Sequence, residues 1–163
     1  MIDCIIFRGV PGSFKSTLAK NLVTSEPNHI ICSADDFHYF GAEQIPSNYK
    51  FDFNNLYAAH KECKRKFIEA LNSQTSLIIV DNTNIKSKDY KWYFKTAKEY
   101  LYNVTFHTIL PGTVEQHFKS NVHNVPRDAI EKMINGLKPV PKEIDGELTN
   151  EIFYDFNELR KNK

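Results

Sequence analysis

Short apolar runs alternate along this chain with longer stretches whose apolar residues recur every three or four positions. Ile2–Phe7, His29–Cys32, Ser76–Val80 and Val104–Ile109 are short, largely apolar runs, the pattern of strands buried on both faces. Helical periodicity marks Ser16–Val23, Asn54–Asn72 and Ser87–Tyr100. It is clearest in the second, where Leu56, Ala59, Cys63, Phe67, Ala70 and Leu71 form one stripe. Pro27 closes the first helix, and a Ser-x-Asp start opens the third. Thr113–Val122 and Pro126–Asn135 read as two further helices around a polar break, Pro126 suiting a helix start. Ser33–Asp52 is polar and irregular, Leu137–Lys163 is mixed, and Glu151–Phe156 predicts a last strand. Alternation of this kind predicts an α/β protein with a parallel sheet, ligands gathering at the carboxyl ends of the strands. No repeat, low-complexity tract or linker interrupts it, so residues 1–163 are expected to form a single domain.

The first strand runs into Gly9-Val10-Pro11-Gly12-Ser13-Phe14-Lys15-Ser16-Thr17, and a helix follows. Strand, Gly-rich loop and helix in this order are the context of a phosphate-binding P-loop. Gly9 and Gly12 let consecutive backbone N–H groups converge on one anion, and the helix adds the positive end of its dipole. Lys15 reaches the β- and γ-phosphates of a nucleotide such as ATP, and the Ser16 hydroxyl suits Mg²⁺. Phe14 departs from the pattern, because it stands where a second glycine is usual.

Composition narrows the partners. At 41% hydrophobic and 25% charged residues the chain suits a globular protein with its own core. A net charge of +1 provides no global attraction to nucleic acid, so any basic site is local. Cys4, Cys32 and Cys63 have no metal-ligand spacing and read as buried thiols of a reducing compartment, cytoplasmic or nuclear. No run reaches membrane-spanning length. The sequence leaves the oligomeric state open.

Two more strand ends carry chemistry. The second leads into Ser33-Ala34-Asp35-Asp36-Phe37-His38, the third into Asp81-Asn82-Thr83-Asn84. Asp35 is a candidate base for an acceptor hydroxyl, or a helix cap. Asp81, after four apolar residues, is a candidate for holding Mg²⁺ with Ser16, or a strand-end turn.

Phe7-Arg8-Gly9-Val10-Pro11-Gly12-Ser13, Ser33–Phe37, Tyr49–Asp52, Ala59-His60, Val80–Asn84 and Asn121–Pro126 occur in this order. Together they resemble the polynucleotide-kinase-like branch of P-loop kinases, over about residues 2–136. The resemblance implies a parallel sheet with helices on both faces and a short helical lid at about residues 117–128. It implies ATP and Mg²⁺, and a 5′-hydroxyl end of RNA or DNA as acceptor. Lys15 and Ser16 match the donor site, and Asp35 matches the general base. Asp36, His38, His60 and the Asn82-Thr83-Asn84 turn match acceptor-side positions, His38 where the family usually has an arginine. The lid differs as well. Family members place arginines just before the Val-Pro step, whereas here Lys119 precedes it and Arg127 follows it. Lys119 substitutes, Arg127 reaches in, or transfer is slow.

Overall fold

In a computed structural model, which describes residues 1–162, five parallel strands form the central sheet. In chain order, strand β1 (Asp3–Arg8) leads to helix α1 (Lys15–Leu22), β2 (His29–Cys32) to α2 (Leu56–Asn72), and β3 (Leu77–Val80) to α3 (Ser87–Glu99). Strand β4 (Asn103–Leu110) is followed by α4 (Val114–Ser120) and α5 (Arg127–Gly136). A two-stranded hairpin, β5 (Glu143–Ile144) and β6 (Glu147–Leu148), then precedes β7 (Glu151–Asp155) and α6 (Phe156–Lys161). The sheet order is β2-β3-β1-β4-β7.

The apolar runs lie where two faces need covering. On β1, Cys4 and Ile6 join the core under α2 and α3, while Phe7 turns to the opposite face with Ala19 and Val23 of the α1 segment. The predicted elements are all present, with ends shifted by one or two residues. Thr113 stands just outside α4, its hydroxyl accepting from the Gln116 N–H while the Gln116 side chain accepts from the Thr113 N–H. The β5–β6 hairpin and α6 are additions to the sequence reading. The expected strand Glu151–Phe156 ends at Asp155, whose carboxylate accepts from the N–H groups of Asn157 and Glu158 and starts α6 instead. The irregular stretch after β2 folds as a 3₁₀ turn, Ala34–His38, with one antiparallel bridge between Tyr39 and Tyr49. Cys4, Cys32 and Cys63 are all unpaired and buried. Among the described residues, no helix is long and apolar enough to cross a membrane.

Candidate active site

Parallel pairing of β1 with β3, and of β3 with β2, brings three strand ends to one rim. The P-loop leaves β1 with Val10 and Ser13 buried. Gly12 has φ +72°, and a β-carbon there would lie 2.6 Å from the His117 carbonyl and 2.7 Å from the Asn121 nitrogen, so α4 packs directly on the loop backbone. The Ser120 hydroxyl donates to the Gly12 carbonyl at 2.7 Å. Lys15 curls back inside the loop: its ammonium donates to the Val10 carbonyl at 3.2 Å and lies 3.5 Å from Ser13 Oγ. Burial lowers its pKa, against the pull of Asp81 and Asp35.

Phe14 takes the glycine position and also the glycine conformation, at φ 67°, ψ 19°. Its ring stacks on Phe156 at 5.3 Å and 1° between planes. Phe156 is buried and also packs on His117 of α4 at 4.2 Å. The stack therefore holds a left-handed turn that costs a non-glycine residue about 1–2 kcal/mol. Phe14→Ala loses the ring and keeps the strain, and is expected to cost ~2 kcal/mol. Phe14→Gly loses the same ring and relieves the strain, so its expected cost is ~0–1 kcal/mol. Chemical melts of the two variants check this; equal costs would refute the strained-backbone account.

The Ser16 hydroxyl donates to Asp81 Oδ2 at 2.7 Å. Burial pushes the Asp81 carboxyl up, and Lys15 and Ser16 pull it partly back. A hydroxyl at the start of α1 and a carboxylate at the end of β3 are the oxygen donors that Mg²⁺ prefers. Among the described residues no group of three or more His, Cys, Asp or Glu is placed to hold a metal. An ion between Ser16 and Asp81 would complete its coordination with water and donor phosphates.

Asp35 is not the cap of its turn. Ser33 is, its Oγ accepting from the Asp35 N–H at 3.3 Å. The Asp35 carboxylate faces the aromatic loop and the loop between α4 and α5: Tyr49 donates to Oδ1 at 3.1 Å, and His123 Nδ1 lies 3.4 Å from Oδ2. Burial pushes this carboxyl up, but His123, Tyr49 and Lys15 together hold it below its ordinary value. Ser16, Asp81, Asp35 and His123 line one cleft of about 420 Å³.

Of the other acceptor-side residues, Asp36 lines the same cleft, whereas His38, His60 and the Asn82-Thr83-Asn84 turn do not. Asp36 accepts from Gln44 at 2.9 Å and pairs with Lys66 at 3.5 Å, joining the loop to α2. His38 is buried against Phe51, Tyr49 and Phe37, with ring centres 5.0, 5.8 and 5.9 Å away. His60 is exposed on α2. Asn82 accepts the Ala34 N–H at 2.8 Å, the Thr83 carbonyl accepts the Gly9 N–H at 3.0 Å, and Asn84 donates to the Phe7 carbonyl at 2.8 Å. The Asn82-Thr83-Asn84 turn thus ties the ends of β1, β2 and β3 together. In the segment expected to act as a lid, Lys119 is exposed and 3.6 Å from Glu115. Arg127 lies over the Phe118 ring at 4.1 Å and also pairs with Glu115.

Two site residues escaped the sequence reading. His123 lies in the Asn121–Pro126 segment noted above for lacking arginines, and nothing local announces its distant partner Asp35. Arg8 looks like an ordinary strand-end charge but is fully buried. It donates to Glu151 Oε1 and to the carbonyls of Asn84 and Ile85, each at 3.0 Å.

Comparison with known proteins identifies the family and the fold. The family model AAA_33, described as an AAA domain, matches residues 4–140. NEDD4-binding protein 2 of Homo sapiens is 33% identical over 135 residues, covering 80% of this chain and 7% of that protein. A chain in the solved Pnkp1/Rnl/Hen1 RNA repair complex is 25% identical with a TM-score of 0.64, covering 83% of this chain and 44% of that one. A gluconokinase from Sinorhizobium meliloti 1021 shares the fold at 14% identity and a TM-score of 0.58, over 98% of this chain and 87% of that one. This chain therefore spans less than half the length of the first two.

Proposed function

The chain belongs to the AAA_33 family of AAA domains, and on that premise we propose that it transfers the γ-phosphoryl group of ATP to a 5′-hydroxyl end of RNA or DNA. The observation that carries the reading is the single cleft lined by Ser16, Asp81 and Asp35, which sets a candidate base beside the phosphate loop. The P-loop amides and Lys15 hold the donor phosphates, and the start of α1 adds favourable potential. Ser16 and Asp81 would hold Mg²⁺, which when bound offsets charge on the donor phosphates. Asp35 accepts the proton of the acceptor hydroxyl. The freed oxygen forms the new bond to phosphorus as the bond to the ADP oxygen breaks. The RNA repair complex at 25% identity supports a polynucleotide acceptor. The compartment expected is cytoplasmic or nuclear, in line with three unpaired buried thiols.

A small-molecule acceptor is the second reading. It is favoured by the enclosure of His38 among aromatic rings and by the shared fold with the gluconokinase. Both lid cations, Lys119 and Arg127, are drawn to Glu115, which favours slow transfer under either reading. Incubation with γ-labelled ATP and a mixture of 5′-hydroxyl RNA, 5′-hydroxyl DNA, nucleosides and gluconate separates them. Label on polynucleotide ends is the expected result, and label on small hydroxyl compounds alone would refute the first reading.

Lys15→Ala is expected to lower turnover by ~10²–10³ and weaken ATP binding, since the ammonium faces the phosphate position. The fold should persist, because among the described residues Lys15 Nζ bonds within its own loop, to Val10 and Ser13. Turnover and a thermal melt on one preparation test this; parent-level activity would remove Lys15 from the donor site.

A further inference from the structure

His123 occupies a slot built for a flat ring. The lid loop between α4 and α5 is pinned at its base by Asn121, whose side chain donates to the Phe118 carbonyl at 3.0 Å and accepts the Val125 N–H at 2.9 Å. From its tip the His123 imidazole lies parallel on Tyr49, at 4.0 Å between centres and 10° between planes. One ring edge meets the Tyr39 hydroxyl, 3.3 Å from Nε2, and the other meets Asp35 Oδ2, 3.4 Å from Nδ1. Tyr39 stands edge-on to Tyr49 at 5.1 Å and closes the side. The slot thus has an aromatic floor, a carboxylate at one edge and a phenol at the other. Asp35, Tyr39 and His123 line the cleft that also contains Ser16 and Asp81, and His123 covers the Tyr49 face.

We infer that this slot receives the terminal nucleobase of the acceptor, and that His123 holds the place until the base displaces it. The inference rests on the polynucleotide reading above. A nucleobase offers what the slot is shaped for, a planar face for Tyr49 and a polar edge atom for Tyr39; a sugar acid has no such face. The exchange also serves the reaction. The base candidate has Tyr49 on one oxygen and His123 on the other, so the incoming base frees Asp35 Oδ2 as the acceptor hydroxyl arrives.

Calorimetric titration of the full chain with two probes tests this without requiring turnover. One probe is a 5′-hydroxyl oligonucleotide, and the other is the same oligonucleotide with an abasic first nucleotide. The first should bind about tenfold more tightly, the ordinary worth of one base stacked on an aromatic side chain. Tyr49→Phe should keep that gap and Tyr49→Leu should lose it. His123→Ala, which removes the competing ring, should tighten the base-bearing probe several-fold. If Tyr49→Leu fails to fold in a thermal melt, the two probes on the parent and on His123→Ala decide alone. Equal affinity for both probes, or binding of neither, would overturn the inference. So would a His123→Ala variant with reduced kcat and unchanged KM, since His123 would then be a positioning residue for Asp35. A clear gap in binding with no transfer to polynucleotide ends would support the slot and overturn only the kinase reading.

Discussion

Asp35→Asn is expected to lower turnover by ~10²–10⁴ and to leave ATP affinity within a few-fold, the signature of a group that acts on a proton in the transition state. The amide keeps the size of the carboxylate and can still accept from Tyr49, so the loop geometry is retained. It can no longer take the acceptor proton. Asp36→Asn is the internal control. The Asp36 carboxylate is engaged by Gln44 and Lys66, so this change should cost little turnover and less than about 1 kcal/mol of stability, as partly exposed pairs do. His123, Tyr49 and Lys15 hold the half-exposed Asp35 carboxyl below its ordinary value, so this candidate base is ionised throughout the neutral range. Activity that depends on it is present above its folded pKa and is lost only as the pH falls into the acid range. A steady-state comparison of both variants across pH checks these statements. Should Asp36→Asn prove the more damaging, the base is misassigned.

Arg8→Ala destabilises the protein by about 3–5 kcal/mol, the usual consequence of removing one partner from a buried ion pair. Arg8 and Glu151 have side chains 1% and 9% exposed, so little water can replace what is lost. Glu151 would keep the Thr108 hydroxyl at 2.5 Å and the Val140 N–H at 2.8 Å but would lose its counter-charge. The carbonyls of Asn84 and Ile85 would lose their donor as well. Arg8 is the last residue of β1, directly before the P-loop, and its bonds reach both the turn after β3 and the edge strand β7. Its loss should therefore loosen the phosphate site. The double variant Arg8→Met/Glu151→Gln should cost less than the two single changes added together, by about 0.5–3 kcal/mol of coupling. Urea unfolding of the three variants measures this, and additive costs would remove the buried pair as the organising contact of β7.

Several residues show why part of the site was legible and part was not. The P-loop, Ser16, Asp81 and Asp35 are short motifs at the ends of apolar runs, and parallel pairing of those runs brings such ends to one rim. Asp35 read as a candidate base but also suited a cap of its turn, and a local sequence cannot separate the two roles. The difference lies in Ser33 taking the cap and in Tyr49 and His123 reaching the carboxylate from distant segments. For Lys119 and Arg127 the sequence left three outcomes open, because the reach of a long side chain depends on what competes for it. In the fold, Glu115 competes for both.

By itself the sequence determined the α/β alternation, the order of the strands along the chain, the phosphate loop and the oxygen-bearing strand ends. These depend on local periodicity and short-range backbone chemistry, which each segment carries within it. Only the tertiary structure decided how Phe14 can stand in a glycine position, because the ring that holds it, Phe156, comes from the last helix. It likewise decided that Arg8 is buried, since Glu151 lies on the far edge strand, and that His123 covers Tyr49 beside Asp35. Each of these depends on a contact between residues far apart in the chain, whose energy comes from excluding water and pairing charge in one packed arrangement.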